Sequence, residues 1–248
     1  MFSPLEQFEI LPLITIPILN IVLTNSSLIL FFGVNCFVVF FFFSLFYKKK
    51  GSLVPSRWQQ VFESLYDTAF ELSYANIGSD GRFFFSLVFV LFLFLFLCNL
   101  IGMIPYSFTV TSHLVVTFAL ALTVYIGFNI IGIKKHKINF FNLLLPGGAS
   151  LALVPLLVPI ELVSYIFRVI SLPVRLFANM MAGHTLLKVI AGFAWTMVHV
   201  NGIMFLVHFI PMLLLVLLVG LEFGVAIIQS YVFSILVCMY INDALNLH

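Results

Sequence analysis

Charged residues are scarce in this sequence, and their scarcity excludes most classes of soluble protein. Only 8% of the 248 residues are Asp, Glu, Lys or Arg, whereas a soluble domain has about 25%. The net charge of +2 is too small to suggest a nucleic-acid-binding surface. The chain is 63% hydrophobic, and its apolar runs far exceed the roughly 10-residue alternating strands of a membrane β-barrel. The composition therefore predicts an all-α integral membrane protein.

The sequence also lacks the motifs of metal, nucleotide and covalent chemistry. Its three cysteines, Cys36, Cys98 and Cys238, lie inside apolar runs at spacings that fit no metal site. It has no Gly-rich phosphate loop and no nucleophile motif. The N-terminus carries Glu6 and Glu9 where a cleavable signal would have a basic region. We therefore expect no catalytic site, no metal site and no cleaved leader.

The first half of the chain contains three apolar segments with the length of ordinary transmembrane helices. One covers residues 28–46, and residues 83–133 form a helical hairpin that supplies the other two. Between them, residues 55–75 place apolar side chains at helical spacing on one face and three acidic residues on the other. This pattern predicts an amphipathic helix that lies on the membrane surface.

Two lysine clusters predict how these segments cross the membrane. Residues 48–50 follow the first span, and Lys134, Lys135 and Lys137 follow the third. The positive-inside rule places both clusters on one side of the bilayer. Three crossings satisfy this rule when the N-terminus lies on the opposite side.

The second half contains two apolar segments that are too long for a single perpendicular crossing. They cover residues 150–195 and 203–240. A helix of 38 residues would be roughly 57 Å long at 1.5 Å per residue, whereas the hydrocarbon core is about 30 Å thick. Neither segment has an obvious polar loop. We therefore predict two long, strongly tilted membrane helices that form a hairpin, within a single membrane domain of residues 1–248.

A polar stripe interrupts the first of these long segments. Arg168 and Arg175 are seven residues apart, so they lie within about 20° of each other around a helix. Glu161 precedes Arg168 by seven residues, and Asn179 follows Arg175 by four. Because a charge at the centre of a membrane helix costs about 3 kcal/mol on insertion scales, this stripe is the predicted functional site.

Further polar groups at membrane depth fall into two sets. His184 lies on the other side of the helix from Arg175, and Glu222 and Gln229 share a face of the second long helix. Asp243 stands at the end of that helix, and in a hairpin it lies near Glu161. Histidine and carboxylate groups are the usual proton-relay residues in membranes. Two separate polar paths, each reaching only part of the way across the membrane, with a fixed cation between them are typical of a proton channel in which protons must not pass directly from one side to the other.

These residues carry a resemblance to a known family. The segments SLPVRLFANMMAGH at 171–184 and LEFGVAIIQSYVFSIL at 221–236 resemble the a subunit of rotary ATP synthases. The stretch CNLIGMIPYSFTVTSH and the ending NDALNLH also match, so the resemblance covers nearly the whole chain. It is closest to the mitochondrial type of plants and algae. Pro173, two residues before Arg175, departs from the family pattern and leaves the local helix geometry open.

The resemblance implies a non-catalytic stator subunit that carries protons to and from a c-ring. Arg175 would face the ring carboxylate and separate two half-channels. Asn179, His184, Glu222 and Gln229 would line the half-channel from the intermembrane space. Glu161, Arg168 and Asp243 would line the matrix half-channel.

The same resemblance implies a location and a set of partners. The location is the mitochondrial inner membrane, with the N-terminus in the intermembrane space and the C-terminus in the matrix. The partners are the c-ring, the peripheral stalk, the other membrane-sector subunits and the lipid bilayer, with protons as the transported ion. No cofactor is expected, although bound lipid such as cardiolipin, or zinc at a half-channel mouth, is compatible with the sequence.

Three other classes of membrane protein are alternatives to this family. A secondary transporter would have inverted repeats, and the sequence contains no internal repeat. In a structural subunit of a respiratory complex, the polar groups, including an internally paired Arg175, would only stabilise the bundle. A haem or quinone oxidoreductase would need facing histidines, and His199 stands at the predicted bend between the two long helices.

Overall fold

The computed structural model describes residues 6–16, 21–28, 35, 57–104, 107–137, 154–199 and 207–246. These residues are mostly helical, as the composition predicts. The predicted span 28–46, apart from positions 28 and 35, and the lysine cluster 48–50 lie outside the described residues.

A two-stranded antiparallel sheet near the N-terminus is an element that the all-α prediction does not include. Strand β1 covers Pro12–Ile16 and pairs with β2, Ile21–Thr24, which leads into a short helix α1, Asn25–Leu28. Both strands are rich in Ile, Val and Thr, whose branched side chains favour extended backbone. The all-α prediction is therefore wrong for this segment.

Helix α2, Arg57–Ile77, covers the segment predicted to be amphipathic. Its acidic residues Glu63, Asp67 and Glu71 are all exposed. Ala69 and Leu72 are buried. The helix ends at Ile77, and the next residue, Gly78, has a φ of 77°, in the left-handed region that glycine adopts readily.

Within the described residues, four further helices are long and apolar enough to cross a membrane. They are α3 (Gly81–Gly102), α4 (Leu114–His136), α5 (Val154–Val198) and α6 (Phe209–Leu245). Helix α4 ends in two lysines and a histidine, and positive side chains are favourable beside the carbonyls of a helix C-terminus. The helices carry many exposed large hydrophobic side chains, as lipid-facing surfaces do.

Prolines do not end helix α5. Pro159 and Pro173 both lie inside it, and the helix runs unbroken through Arg175. A proline removes one backbone donor, a loss that membrane helices tolerate when neighbouring groups compensate. The departure at Pro173 therefore does not interrupt the helix that carries the polar stripe.

The chain divides into two compact units, and three of the long helices contribute residues to both. The first unit comprises Met1–Phe42, Leu95–His113 and Leu176–Ser230. The second comprises Phe43–Phe94, Leu114–Arg175 and Tyr231–His248. The predicted site residues are therefore shared between the units.

In the second unit, the lysine cluster at the end of α4 lies near the end of α6 and the start of α3. His136 Nε2 at the end of α4 donates a hydrogen bond to the carbonyl of Leu245 at the end of α6 (2.9 Å). Lys135 Nζ lies 3.9 Å from the carboxylate of Asp80, just before α3. The end of α6 thus lies on the same side of this unit as the lysines.

In the first unit, a buried asparagine joins α3 to α6. Asn99 is fully buried, and its Nδ2 donates a hydrogen bond to the carbonyl of Ala226 (3.2 Å). Lipid tails are as apolar as leucine, so interhelical hydrogen bonds and close packing hold membrane helices together. We therefore expect Asn99 to contribute to the stability of this unit.

Replacing Asn99 with Leu should lower the stability of the folded protein by about 1–2 kcal/mol, because it removes an interhelical hydrogen bond. Thermal unfolding in detergent measures the change. Thr123→Val is the control, since Thr123 is exposed and donates only to the carbonyl of Leu120 in its own helix. Equal unfolding temperatures for the two variants would contradict the role of Asn99.

Candidate functional site

His184 and Glu222 form the centre of a polar cluster in the first unit. His184 extends from α5 and Glu222 from α6, and His184 Nδ1 lies 3.3 Å from Glu222 Oε1. The side chains are only 16% and 6% exposed. At this distance a protonated imidazole and a carboxylate form an ion pair.

The carboxylate of Glu222 is closely enclosed. Within the described residues neither of its oxygens accepts a hydrogen bond. A Cβ atom at Gly183 would lie 2.6 Å from Glu222 Oε1, so only glycine leaves room for this carboxylate. Because an ionised carboxylate without hydrogen bonds is costly when buried, its charge depends on a proton, on His184 or on water.

The second nitrogen of His184 contacts a residue that the sequence analysis did not identify. Thr109 Oγ1 lies 3.2 Å from His184 Nε2. Thr109 is buried, and its hydroxyl also donates to the carbonyl of Gly102 at 3.4 Å. The imidazole therefore lies between a hydroxyl and a carboxyl group.

Asn179 and Gln229 form a second pair in the same unit. Asn179 Nδ2 donates a hydrogen bond to Gln229 Oε1 (3.1 Å). Gln229 is buried, whereas Asn179 is exposed. The four residues predicted for one half-channel thus form two contacting pairs, and each pair joins α5 to α6.

A separate polar cluster lies in the second unit, around Arg168. Arg168 Nη1 donates to Asp243 Oδ2 at 2.9 Å, and the side chains are 28% and 43% exposed. The guanidinium carbon also lies 5.0 Å from the ring centre of Tyr240, close enough for a cation–π interaction. Arg168 is therefore held by two partners from α6.

Tyrosine and asparagine side chains extend this cluster. Tyr165, one turn before Arg168, donates a hydrogen bond to Asn129 Oδ1 on α4. Its ring centre lies 5.4 Å from that of Tyr125. A narrow apolar cavity beside Arg168 is lined by side chains of α4, α5 and α6, including Tyr125 and Tyr240.

Two predicted site residues have no ion-pair partner in the part of the chain that the structure describes. Glu161 is half-buried and forms no salt bridge there. Arg175 is exposed and likewise forms none. Asp243 pairs with Arg168, and the predicted proximity of Glu161 to Asp243 stays a prediction.

Small residues surround Arg175 on its exposed face. Ser171 lies one turn before it and Ala178 one turn after it, and both are exposed, as are Ser164 and Ala182. This face accepts close approach by another helix. Among the described residues, no group of three or more His, Cys, Asp and Glu side chains could hold a metal ion.

Asn99, Thr109 and Tyr240 were not predicted as site residues. Only for Asn99 does the sequence contain a signal that could have identified it. Asn99 interrupts a run of Phe and Leu, and its polarity at membrane depth was a usable signal. Thr109 lies in a turn with several other hydroxyl residues, and nothing in the sequence distinguishes it. Tyr240 is 72 residues from Arg168, so only the fold brings them together.

Comparison with known proteins identifies the family. The family model of the ATP synthase A chain matches residues 29–242. ATP synthase subunit a of Chondrus crispus is 53% identical over 249 residues, which cover 99% of this chain and 97% of that protein. The proteins of the same name from Pylaiella littoralis and Marchantia polymorpha are 50% and 49% identical, each with 99% of both chains covered.

This similarity extends over almost the full length, so it excludes a secondary transporter, a respiratory-complex subunit and an oxidoreductase as the class of this protein. It also agrees with the four apolar helices. The chain belongs to the ATP synthase A chain family, whose members are the non-catalytic, proton-translocating subunit of the membrane sector of ATP synthase.

Proposed function

We propose that this chain carries protons along two offset half-channels to and from the c-ring carboxylates, with Arg175 separating them. The chain would act as the stator of a rotary motor in the mitochondrial inner membrane. Ring rotation would then be coupled to ATP synthesis at sites on other subunits.

The observation that carries this proposal is the contrast between the two arginines of α5. Arg168 is paired with Asp243 at 2.9 Å, whereas Arg175 is exposed and has no salt bridge among the described residues. A guanidinium stays protonated in any plausible environment, and an unpaired charge in the membrane is costly. Its partner would therefore come from another chain, and a carboxylate on the c-ring has the required charge.

The first half-channel would use the cluster around His184 and Glu222. These two groups would exchange a proton directly, because His184 Nδ1 lies 3.3 Å from Glu222 Oε1. Asn179 and Gln229 cannot ionise, but their amide groups can bind water along the path. We assign this half-channel to the intermembrane space.

The second half-channel would use Glu161, Arg168 and Asp243. A proton that leaves the ring would reach the matrix by this route. Arg168 holds Asp243 in place through their hydrogen bond, and the Asp243 carboxyl group would accept a proton from the ring side and release it to water. Glu161 is half-buried and has no ion-pair partner among the described residues, so its carboxyl group would also serve on this path.

The lysines at the end of α4 indicate which side of the membrane each half-channel would open to. The positive-inside rule assigns Lys134 and Lys135 to the matrix side. The hydrogen bond from His136 to Leu245 supports the same side for the end of α6, and Asp243 is one turn from that end. We therefore place the C-terminus in the matrix and the N-terminus in the intermembrane space.

Protons would drive ring rotation by neutralising the carboxylates of the ring. A ring carboxylate that binds a proton becomes neutral and can turn into lipid, which an ionised carboxylate does at high cost. Each proton that crosses 100 mV releases about 2.3 kcal/mol. After nearly a full turn the carboxyl group would lose its proton, and the charge would be attracted to Arg175. Arg175 would also prevent protons from crossing directly between the half-channels.

The proposed partners are the c-ring, the peripheral stalk and the other subunits of the membrane sector. The small residues beside Arg175 would allow the ring helices to approach closely. The mechanism requires no cofactor. It is compatible with bound lipid such as cardiolipin and with zinc at a half-channel mouth.

Arg175→Ala should reduce ATP-driven proton pumping to background while the complex still assembles, because no cation remains to attract the ring carboxylate. Pumping is measured by the quenching of a pH-sensitive dye in vesicles. Arg82→Ala is the matched control, since Arg82 is also exposed but stands at the start of α3. Normal pumping by the Arg175 variant would refute its assigned role.

Glu222→Gln should slow passive proton flux through the membrane sector by about 10²-fold, at the lower end of what a positioned proton-transfer group contributes. The amide keeps the shape of the side chain but cannot carry the proton. Glu63→Gln provides the control, because Glu63 is exposed on α2. If the two variants conduct equally well, Glu222 is not a relay.

The sidedness can be tested with single cysteines outside the proton path. Asn246→Cys, just beyond α6, should react with a membrane-impermeant maleimide from the matrix side only, and His199→Cys, at the end of α5, from the other side only. Both positions are exposed. The native Cys98 and Cys238 are buried, and Cys36 is replaced with Ser in both variants, so background labelling should be low. Labelling of both variants from one side would disprove the proposed topology.

A further inference from the structure

Thr109 contacts His184 although it belongs to neither long helix. It precedes a short turn, Val110–Ser112, after the end of α3. Its side chain is buried, and its hydroxyl lies 3.2 Å from His184 Nε2. We propose that Thr109 is a positioning residue that fixes the tautomer of His184, so that the imidazole presents its Nδ1 lone pair to Glu222. This inference rests on the proposed role of His184 and Glu222 in proton transfer.

In the hydrogen bond between Thr109 and Gly102, the Thr109 hydroxyl is the donor because the carbonyl of Gly102 can only accept. The carbonyl of Gly102 is among the last four of α3, and these carbonyls have no donor within the helix. The Thr109 hydroxyl donates to it at 3.4 Å. A hydroxyl group has only one hydrogen, so the same hydroxyl cannot also donate to His184.

The tautomer of His184 is then determined. Thr109 Oγ1 can only accept from His184 Nε2, which must therefore carry a hydrogen. In the neutral imidazole the other nitrogen, Nδ1, has no hydrogen and offers a lone pair. That nitrogen lies 3.3 Å from Glu222 Oε1.

Close packing at both edges of the imidazole supports this arrangement. A Cβ atom at Gly102 would lie 2.6 Å from Thr109 Cγ2 and 3.2 Å from its Oγ1. On the opposite edge, Gly183 leaves the space that Glu222 occupies, because a Cβ there would lie 2.6 Å from Oε1. Glycines thus make room for both groups that contact His184.

The fixed tautomer determines which proton transfers are possible. A protonated Glu222 can pass its proton to Nδ1, which leaves a carboxylate and an imidazolium side by side. The reverse transfer restores the neutral pair, and no other atom changes its protonation. The opposite tautomer would direct an N–H group at Glu222 and could accept no proton from it.

Three variants of the assembled complex test this inference. Thr109→Val keeps the size of the side chain and removes the hydroxyl, and Thr109→Ser keeps the hydroxyl. Thr111→Val is the matched control, because Thr111 is buried in the same turn and its hydroxyl has no hydrogen-bond partner among the described residues. Nitrogen NMR of ¹⁵N-histidine-labelled complex reports the tautomer of His184, whose signal is identified by its loss in His184→Gln.

We expect Thr109→Val to shift the tautomer ratio of His184 by about fivefold, the factor that the net contribution of one hydrogen bond represents. It should also lower passive proton flux, and Thr109→Ser should retain the parent values of both. A parent-like tautomer ratio in Thr109→Val, or an equal shift in Thr111→Val, would overturn the inference.

The two proposals can fail separately. If Glu222→Gln conducts protons normally, the pair is not on the proton path, and the proposed half-channel fails. The tautomer ratio still reports directly on Thr109 in that case, because it is measured without proton flux. If Glu222→Gln blocks flux and Thr109→Val leaves the ratio unchanged, only the role of Thr109 fails.

Discussion

The cost of a charge in the hydrocarbon of the membrane is the constraint on which this structure depends. A helix can carry an ionised group at that depth only if a partner, water or a proton compensates it. Arg168 meets this requirement with Asp243 and the ring of Tyr240, and Glu222 meets it with His184. Arg175 does not meet it within the described part of the chain. The proposed function rests on that difference, because in it the partner of Arg175 is supplied by another chain.

The same constraint explains how the two polar clusters are built. Each combines groups from both α5 and α6 within one compact unit. In the first unit a Cβ atom at position 183 would lie 2.6 Å from Glu222 Oε1, so Gly183 lets the carboxylate keep its position. Close packing of this kind holds an imidazole and a carboxyl group in fixed positions, and proton transfer requires such positions. In the proposed function, stability and proton transfer therefore depend on the same contacts.

Much of this could be predicted from the sequence, since helix length and the cost of charge act locally. Apolar runs predicted the mostly helical character, and intramembrane charges marked the residues that the structure brings into pairs. The pairs themselves could not be predicted. Arg168 and Asp243 are 75 residues apart, and their contact depends on the packing of two helices. Thr109 has no distinguishing feature in the sequence, and the β1–β2 pair was missed because the chain is otherwise dominated by helix-length apolar runs.

The central claim is that Arg175 faces a carboxylate of the c-ring, and disulfide cross-linking tests it most directly. Ala178→Cys, one turn from Arg175 on its exposed face, is combined with a cysteine placed one turn from the ring carboxylate. Thr123→Cys, exposed on α4, is the comparison. The account predicts rapid cross-linking for Ala178→Cys and little for Thr123→Cys. Absence of the Ala178 cross-link in an active, assembled complex would contradict it.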